Sequence, residues 1–182
     1  MFSARLPIPG FELRLVEDRH VPAVFETVRR NLPHLQPWMP WATDDYSLDT
    51  CRAWQRKTLE QFSRNDGVDA GIFAGDLYVG TIGQHGIDWV NRRTTIGYWL
   101  DADHQGRGLM TAACRTLLSY LFDTLKLHRV ELRCNTENLR SRRVAERLGF
   151  VAEGTLRQVE RHPDGQYRDH VVYAMLAPDW RD

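Results

Sequence analysis

The amino-acid sequence predicts a mixed α/β (α+β) fold, with a central, mostly antiparallel sheet of about seven strands and helices on both faces. Three strand-like segments follow one another between Val68 and Leu100 with only short turns between them, which is typical of antiparallel neighbours. The strongest helical pattern follows directly, from near Gly106. Another strand-like segment comes after this helix, and two strands joined through a helix usually lie parallel.

The first part of the chain predicts one strand and two helices. Apolar and charged residues alternate over Phe11–Leu15, the period expected of a half-buried strand. Apolar spacings of three and four predict a helix over Val21–Val28, and a second helix is predicted over Leu48–Phe62. Between them, Leu32–Trp41 contains three prolines and two tryptophans, which predicts a packed loop without regular structure.

The rest of the chain supplies the remaining strands and the helices that cover them. A helix near the C-terminal end stops at Gly149, a typical left-handed cap, and two final strands flank the turn Pro163–Gly165. The other predicted strands and this last helix are Ala70–Phe73, Leu77–Ile82, Thr94–Leu100, Val130–Cys134 and Asn138–Leu148.

Length and composition indicate one domain, residues 1–182, without a nucleic-acid-binding character. The 182 residues match the usual size of one domain, and 42% hydrophobic residues suffice for a core. Lys plus Arg and Asp plus Glu both total 24, whereas proteins that bind phosphate backbones usually carry a positive excess. We therefore expect no direct nucleic-acid partner.

The sequence also predicts a cytoplasmic protein without a metal ion. No window approaches the roughly 18 uninterrupted apolar residues of a membrane span, and Met1–Gly10 lacks the apolar stretch of a signal peptide. The three cysteines, Cys51, Cys114 and Cys134, are widely spaced, which favours reduced thiols. The histidines form no recognisable metal-binding motif, so we expect no metal.

The strongest functional signal is a loop with two glycines that leads from a strand into the long helix. Backbone N–H groups at a helix N-terminus lack internal partners and favour negative charge, so the turn at Gly106 and Gly108 can bind a diphosphate. A tight turn without a ligand would explain the same glycines. Neither the Walker nor the Rossmann pattern fits, because Thr111 stands where a Rossmann loop has its third glycine.

Several motifs in the second half of the chain resemble those of the GNAT superfamily of N-acetyltransferases. Gln105–Gly108 matches the Gln/Arg-x-x-Gly-x-Gly/Ala motif, although Met110 replaces the final small residue. The preceding Gly-Tyr-Trp-Leu resembles the branch that acetylates the N-termini of ribosomal proteins. Further matches are Asn138-x-x-Ser141, Leu148-Gly149-Phe150, Glu153-Gly154 and Tyr167-x-Asp169-x-x-x-Tyr173.

The resemblance implies a GNAT-like sheet in which the fourth and fifth strands splay apart and hold acetyl-CoA as a co-substrate. The acceptor amine then enters from the opposite side and attacks the thioester directly in a ternary complex. A backbone N–H of Trp99 or Leu100 is the candidate donor to the developing oxyanion. The residues expected to contact acetyl-CoA are Trp99, Leu100, Gln105, Gly106, Arg107, Gly108, Leu109, Met110, Thr111 and Asn138.

Two side chains are the candidate catalytic groups. The resemblance gives Ser141 the role of general acid toward the CoA sulfur, while helix capping is the alternative. It gives Glu160 the role of general base, directly or through an ordered water, while a surface ion pair with Arg157 or Arg161 is the alternative. Asn138 either caps its helix or contacts the pantetheine or adenylate arm.

Other residues near the expected site have two possible roles each. Cys134 could carry an acyl group, but direct transfer is favoured because no neighbouring histidine in the sequence would activate its thiol. Trp38, Met39 and Trp41 either line the acceptor channel or pack in the core. Arg107 either meets a phosphate of the co-substrate or is a solvated loop charge.

The sequence thus predicts an acetyl-CoA-dependent N-acetyltransferase that acts on a primary amine, with a protein N-terminus as one candidate acceptor. The alternatives are an enzyme for a small amine, a non-catalytic acyl-CoA-binding module and a nucleotide-binding protein that uses the same loop. No membrane partner is expected, and the resemblance suggests a homodimer.

Overall fold

The computed structural model of the chain describes residues 3–181. Three residues lie outside the described range, namely Met1, Phe2 and Asp182. The first two belong to Met1–Gly10, which is expected to lack a signal peptide. The strands are β1 Ser3–Arg5, β2 Phe11–Leu15, β3 Gly67–Ala74, β4 Leu77–Asp88, β5 Arg93–Leu100, β6 Arg129–Asn135, β7 Val151–Arg161 and β8 Tyr167–Leu176. The α-helices are α1 Val21–Leu35, α2 Leu48–Ser63, α3 Leu109–Ser119 and α4 Leu139–Leu148.

The strands form one sheet in the order β1-β2-β3-β4-β5-β6-β8-β7. All neighbouring pairs are antiparallel except β5 and β6, which confirms the predicted mostly antiparallel mixed sheet. The sequence predicted about seven strands, but the described residues form eight, because Ser3–Arg5 also pairs with β2. Three residues are too few for a strand to be recognised by alternation.

The parallel pair is short, and this opens the sheet in its middle. Arg93–Ile96 of β5 pairs with Arg129–Leu132 of β6. Beyond these residues β5 continues to Leu100 and β6 to Asn135 without further pairing between them among the described residues. This confirms the expected splay between the fourth and fifth predicted strands, which are β5 and β6 once Ser3–Arg5 is counted.

The helices cover the sheet on two faces and create two hydrophobic clusters. One cluster joins α3 and α4 to the sheet, and Leu117 and Leu118 of α3 are fully buried in it. The other joins α1 and α2 to the opposite face, around Val24, Phe73 and Trp99. The two-sided layout predicted from the sequence is therefore correct.

The predicted loop at Leu32–Trp41 is wrong over its first four residues. Helix α1 continues to Leu35 and includes Pro33. Proline removes one backbone hydrogen bond to the residue four positions earlier, but the helix ends two residues later, so little regular structure is lost. Two of the three prolines, Pro37 and Pro40, do lie in the loop that follows.

The long central helix begins later in the chain than predicted. Helix α3 begins at Leu109, after a 3-10 turn over Ala102–His104, because Gly106 and Gly108 adopt left-handed conformations that an α-helix cannot include. It ends at Ser119 and continues as a π turn over Tyr120–Thr124. Within residues 3–181, no helix is long and apolar enough to cross a membrane.

Candidate active site

A cavity of about 1620 Å³ opens at the splay between β5 and β6 and extends onto both faces of the sheet. Arg107 is the exception among the predicted site residues: it is exposed and does not line the cavity. The predicted site residues that line it are Trp99, Leu100, Gln105, Gly106, Gly108, Leu109, Met110, Thr111, Asn138, Ser141 and Glu160.

The loop before α3 presents its backbone to this cavity. Gly106 and Gly108 both have φ near +75°, a conformation that residues with a Cβ rarely adopt. No heavy atom lies within 4 Å of the position that a Cβ would take at either glycine. The first helical hydrogen bond is from Ala112 N–H to Gly108 O, at 3.0 Å, so the amides of residues 109–111 are those of the free first turn. This arrangement suits an anionic ligand.

Gln105 connects this loop to the helices on both sides of it. Its side-chain Nε2 lies 2.6 Å from Nε2 of His34 on α1. Its Oε1 accepts a hydrogen bond from Arg140 on α4. Burial and the nearby Arg140 charge lower the pKa of His34, which favours a neutral imidazole that can accept the amide hydrogen. Gln105 therefore fixes the loop between α1 and α4.

Ser141 lies in the first turn of α4 and faces β5 across the cavity. Asn138 caps the helix, because its Oδ1 accepts a hydrogen bond from the Ser141 N–H at 3.1 Å. The Ser141 Oγ lies 3.0 Å from the phenol oxygen of Tyr98. Burial raises the pKa of Tyr98 well above its usual value, so the phenol keeps its proton and can hydrogen-bond the serine. The cap fixes the backbone of Ser141, and the phenol orients its hydroxyl.

Cys134 at the end of β6 also lines the cavity and is buried. Burial raises the pKa of its thiol, and a hydrogen bond with Ser141 only partly opposes this shift. A thiol kept protonated is a poor nucleophile. The geometry therefore agrees with direct transfer better than with an acyl-cysteine intermediate.

Glu160 sits on β7 and lines the cavity. Its Oε2 lies 3.2 Å from Nε2 of His162 and 3.2 Å from Nε2 of His170. Its ion-pair partners within 4.0 Å are thus histidines, and not Arg157 or Arg161 as the sequence suggested. The carboxylate is partly buried and lines the cavity, as a base must.

The strand register distinguishes the two candidate oxyanion donors. The Asp101 N–H donates to Val79 O on β4 at 2.8 Å, and Trp99 is the register partner of Thr81 on the same strand. Because alternate residues of a strand direct their backbone groups to opposite sides, the amide of Leu100 points toward the splay and that of Trp99 toward β4. Leu100 is the better placed donor.

The aromatic segment before α2 lines the cavity on the side of α1 and α2. Trp38, Met39 and Trp41 all contribute to its wall. Met39 packs against the α1–α2 cluster, so a core role holds for it, whereas Trp41 is 42% exposed. Its ring lies 6.4 Å from that of Trp99, measured between centroids. The segment thus packs partly against the core and partly lines the cavity, and its role in an acceptor channel stays a prediction.

Sequence reasoning missed Tyr98 at the site and, of a group of four arginines there, Arg115 and Arg147. Tyr98 was noted only as part of a motif, yet its hydroxyl contacts Ser141. Arginines on α3 and α4 also border the cavity near the free end of α3, where they add positive charge. These arginines are Arg115, Arg140, Arg143 and Arg147. The run of arginines in α4 was the available signal, but an ordinary charged helix surface explains such a run equally well.

Comparison with known proteins identifies the family. The acetyltransferase (GNAT) domain matches residues 11–151. The chain belongs to this family. It is an acetyl-CoA-dependent N-acetyltransferase, as the motifs of its second half predicted.

Individual relatives of this GNAT chain support the narrower branch. It is 31% identical over 167 residues to the ribosomal-protein-serine acetyltransferase of Escherichia coli (strain K12), covering 92% of this chain and 93% of that protein. It is 29% identical to the uS5-alanine N-acetyltransferase of the same strain, covering 99% and 98% of the two chains.

A solved structure shows a coenzyme on the same fold. The enzyme RimL, an N-terminal α-amine acetyltransferase of ribosomal protein L7/L12, was solved in complex with coenzyme A held as a disulfide to one of its cysteines. It superposes with a TM-score of 0.88 and 28% identity, covering 93% of this chain and 95% of that one. The sequence-based prediction of the fold and of the family is confirmed.

Proposed function

We propose that this chain, acting as a single domain in the cytoplasm, acetylates the N-terminal α-amino group of a protein, with a ribosomal protein as the acceptor. The observation that carries the proposal is that one cavity contains the glycine loop, the open splay, Ser141 and Glu160. Relatives whose names specify ribosomal-protein acetylation match nearly the whole chain. Acetyl-CoA is the co-substrate, and no residue of the proposed mechanism needs a metal.

The loop and its neighbours hold acetyl-CoA in this proposal. The amides of Leu109, Met110 and Thr111 and the two loop glycines bind the diphosphate, since they offer free donors and unobstructed backbone. Asn138 contacts the pantetheine arm from its position as the helix cap. Arg107, which lies outside the cavity wall, reaches only the solvent-exposed phosphate end of the molecule.

The reaction then proceeds by direct attack of the neutral amine on the thioester carbonyl. The Leu100 N–H stabilises the oxyanion, Ser141 gives a proton to the departing sulfur, and Glu160 accepts one from the amine directly or through water. An α-amino group has a pKa near 8 and a lysine side chain near 10.4, so a lysine needs about 3 kcal/mol more for deprotonation. This difference favours an N-terminal amine over a lysine side chain as the acceptor.

The test is acetyl transfer with purified chain, acetyl-CoA and two sets of acceptors. One set contains peptides with different N-terminal residues, and the other contains polyamines, amino acids and aminoglycosides. We expect release of CoA thiol and an acetyl group on the peptide α-amine, located by mass spectrometry, with the highest kcat/KM for peptides. Preference for a small amine would support the small-molecule alternative, and tight acetyl-CoA binding without turnover would support a non-catalytic module.

We also propose that the chain forms a homodimer through the edge strand β7. Val151, Leu156 and Val159 on this strand are exposed, by 61%, 36% and 48%. An exposed apolar edge strand commonly pairs with another chain. Sedimentation equilibrium should show a dimer that Val159→Lys converts to monomer, whereas Val90→Lys, at a 92% exposed turn residue, should leave it intact. A monomeric wild-type chain would refute this proposal.

A further inference from the structure

Two glycines leave room for a pair of ionisable side chains on the acceptor face of the sheet. Asp69 on β3 is the register partner of Gly83 on β4, and Gly83 is the partner of Gly97 on β5. A Cβ at Gly83 would lie 1.8 Å from Oδ1 of Asp69, so only glycine allows the carboxylate to lie there. Gly97 is the first residue of β5 beyond its pairing with β6.

His85 extends this arrangement from Asp69 toward the splay. Its Nδ1 lies 3.7 Å from Oδ2 of Asp69. At the other end of the ring, Nε2 lies 3.9 Å from the position that a Cβ would take at Gly97. The carboxylate, the imidazole and the open floor at Gly97 therefore follow one another across the sheet, and all three line the cavity.

The two side chains differ in exposure in a way that suits proton transfer. The side chain of Asp69 is 8% exposed, and that of His85 is 46% exposed. Among the described residues no Lys or Arg nitrogen lies within 4.0 Å of Asp69. The buried carboxylate can therefore compensate the charge of a protonated imidazole, and the imidazole can pass its proton to water.

Few charged groups surround the pair formed by Asp69 and His85. Asp69 faces His85 from β3, and Lys57 on α2 acts on Asp69 at longer range. On β5 the register partner of His85 is the uncharged Thr95. Across the cavity lies Glu160, with its own histidine partners.

A purely structural role explains this pair poorly. Burial raises the pKa of Asp69, and the nearby His85 and Lys57 oppose the shift. A carboxyl group whose pKa rises on folding makes the folded state less stable at neutral pH than a neutral side chain would. Perturbed carboxyl groups of this kind cluster at functional sites.

We propose that His85, oriented by Asp69, removes the proton that the acceptor ammonium must lose before it attacks acetyl-CoA. This step rests on the proposed function above. An ammonium N–H bond breaks, the proton passes to Nε2 of His85 and then to water, and the freed electron pair forms the bond to the thioester carbon. When the C–S bond breaks, Ser141 protonates the sulfur and regains a proton from water, while Glu160 accepts the second amine proton and releases it to water.

The test is the pH dependence of kcat/KM for an N-terminal peptide in the variant His85→Gln. We expect a loss of about 10²-fold at pH 6.5, where nearly all of the amine is protonated, shrinking to about 5-fold at pH 9. Acetyl-CoA affinity, measured by calorimetry, should not change. The matched control, His128→Gln at an exposed histidine outside the cavity wall, should behave as the wild type. An unchanged rate at pH 6.5, or a loss of equal size at every pH, would overturn the proposal.

Asp69 is a positioning residue here, so its effect must depend on His85. Asp69→Asn should lower kcat/KM about 10-fold at pH 6.5, and the double variant should be no slower than His85→Gln alone. A further loss in the double variant would refute the positioning role. Added imidazole should accelerate His85→Ala and leave the wild type unchanged; failure to do so would count against a proton-accepting role, even if the variants lose stability.

The two proposals fail in different ways. If the wild-type chain acetylates no protein N-terminus, the proposed function is wrong. If the wild type is active and Glu160→Gln slows it, but His85→Gln does not, only the assignment of His85 is wrong.

Discussion

Ser141 illustrates how a single hydroxyl is prepared for chemistry by its neighbours. Its amide is held by Asn138, and its Oγ lies 3.0 Å from Tyr98 on the opposite wall of the cavity. Because the phenol keeps its proton, it can stabilise the serine oxygen after the serine has released its own. In the mechanism that we propose, the contact between Tyr98 and Ser141 assists the departure of the sulfur.

We expect Ser141→Ala to lower kcat by roughly 10 to 100-fold, since water can replace the lost proton donor only in part. The Kd for acetyl-CoA should stay within a factor of about two, because the cap and the loop remain. Stopped-flow release of CoA thiol and calorimetry measure the two quantities. Tyr98→Phe keeps the ring and should have a smaller effect on kcat. Wild-type turnover in Ser141→Ala would remove the serine from the mechanism.

At the scale of elements, the loop before α3 depends on two residues with positive φ. Valine at Gly108 would be strained at a φ of +75° and would place a branched side chain over the free amides of α3. We expect Gly108→Val to weaken acetyl-CoA binding by about 10-fold or more, or roughly 1.4 kcal/mol. Fluorescence or calorimetric titration measures this affinity.

Gly75 provides a control for the strain itself. It has a φ of +61° and open space at its Cβ position, but it lies in the β3–β4 turn outside the cavity wall. Gly75→Val should reduce the melting temperature without changing the acetyl-CoA affinity. Equal affinities in both variants would mean that the loop amides do not bind the co-substrate.

Local patterns predicted most elements but not the contacts between them. Alternation, turn residues and helical spacing identified β2 to β8 and all four helices. They missed β1, whose three residues carry no period, and the last turn of α1, where Pro33 is tolerated so close to the helix end. The pairing of Asp69 with His85 depends on strand register, which the spacing of residues does not specify.

At the scale of the whole molecule, the buried carboxylate of Asp101 links helix α1 to the sheet. Asp101 follows β5 and is 2% exposed. Its oxygens accept hydrogen bonds from Arg30 at 2.8 Å and from Asn31 at 2.9 Å, both on α1, and contact His104 at 3.1 Å. Asn31 in turn accepts the Ala102 N–H at 2.9 Å. Helix α1 is thus fixed to the start of the co-substrate loop.

These contacts make the stability of the fold sensitive to acid at a defined residue. Burial alone would raise the pKa of Asp101, but the hydrogen bonds from Asn31 and Arg30 outweigh it and lower the pKa below its usual value. A carboxyl group with a lowered pKa stabilises the fold above its unfolded pKa of about 3.9, and this contribution is lost as pH falls through the folded value.

Asp101→Asn should therefore lower the free energy of unfolding by about 1 to 3 kcal/mol at pH 7. In the wild type Arg30 and Asn31 each donate to a different carboxylate oxygen, whereas Asn offers only one accepting oxygen. The difference from the wild type should shrink as the pH falls from the unfolded pKa of about 3.9 through the lower folded pKa of Asp101. Urea denaturation at neutral and at acid pH measures this. Asp103→Asn, at an exposed residue of the same turn, should change stability by less than about 0.5 kcal/mol at either pH. A deficit in Asp101→Asn that persists unchanged into acid would show that packing, and not the charge on Asp101, joins α1 to the loop.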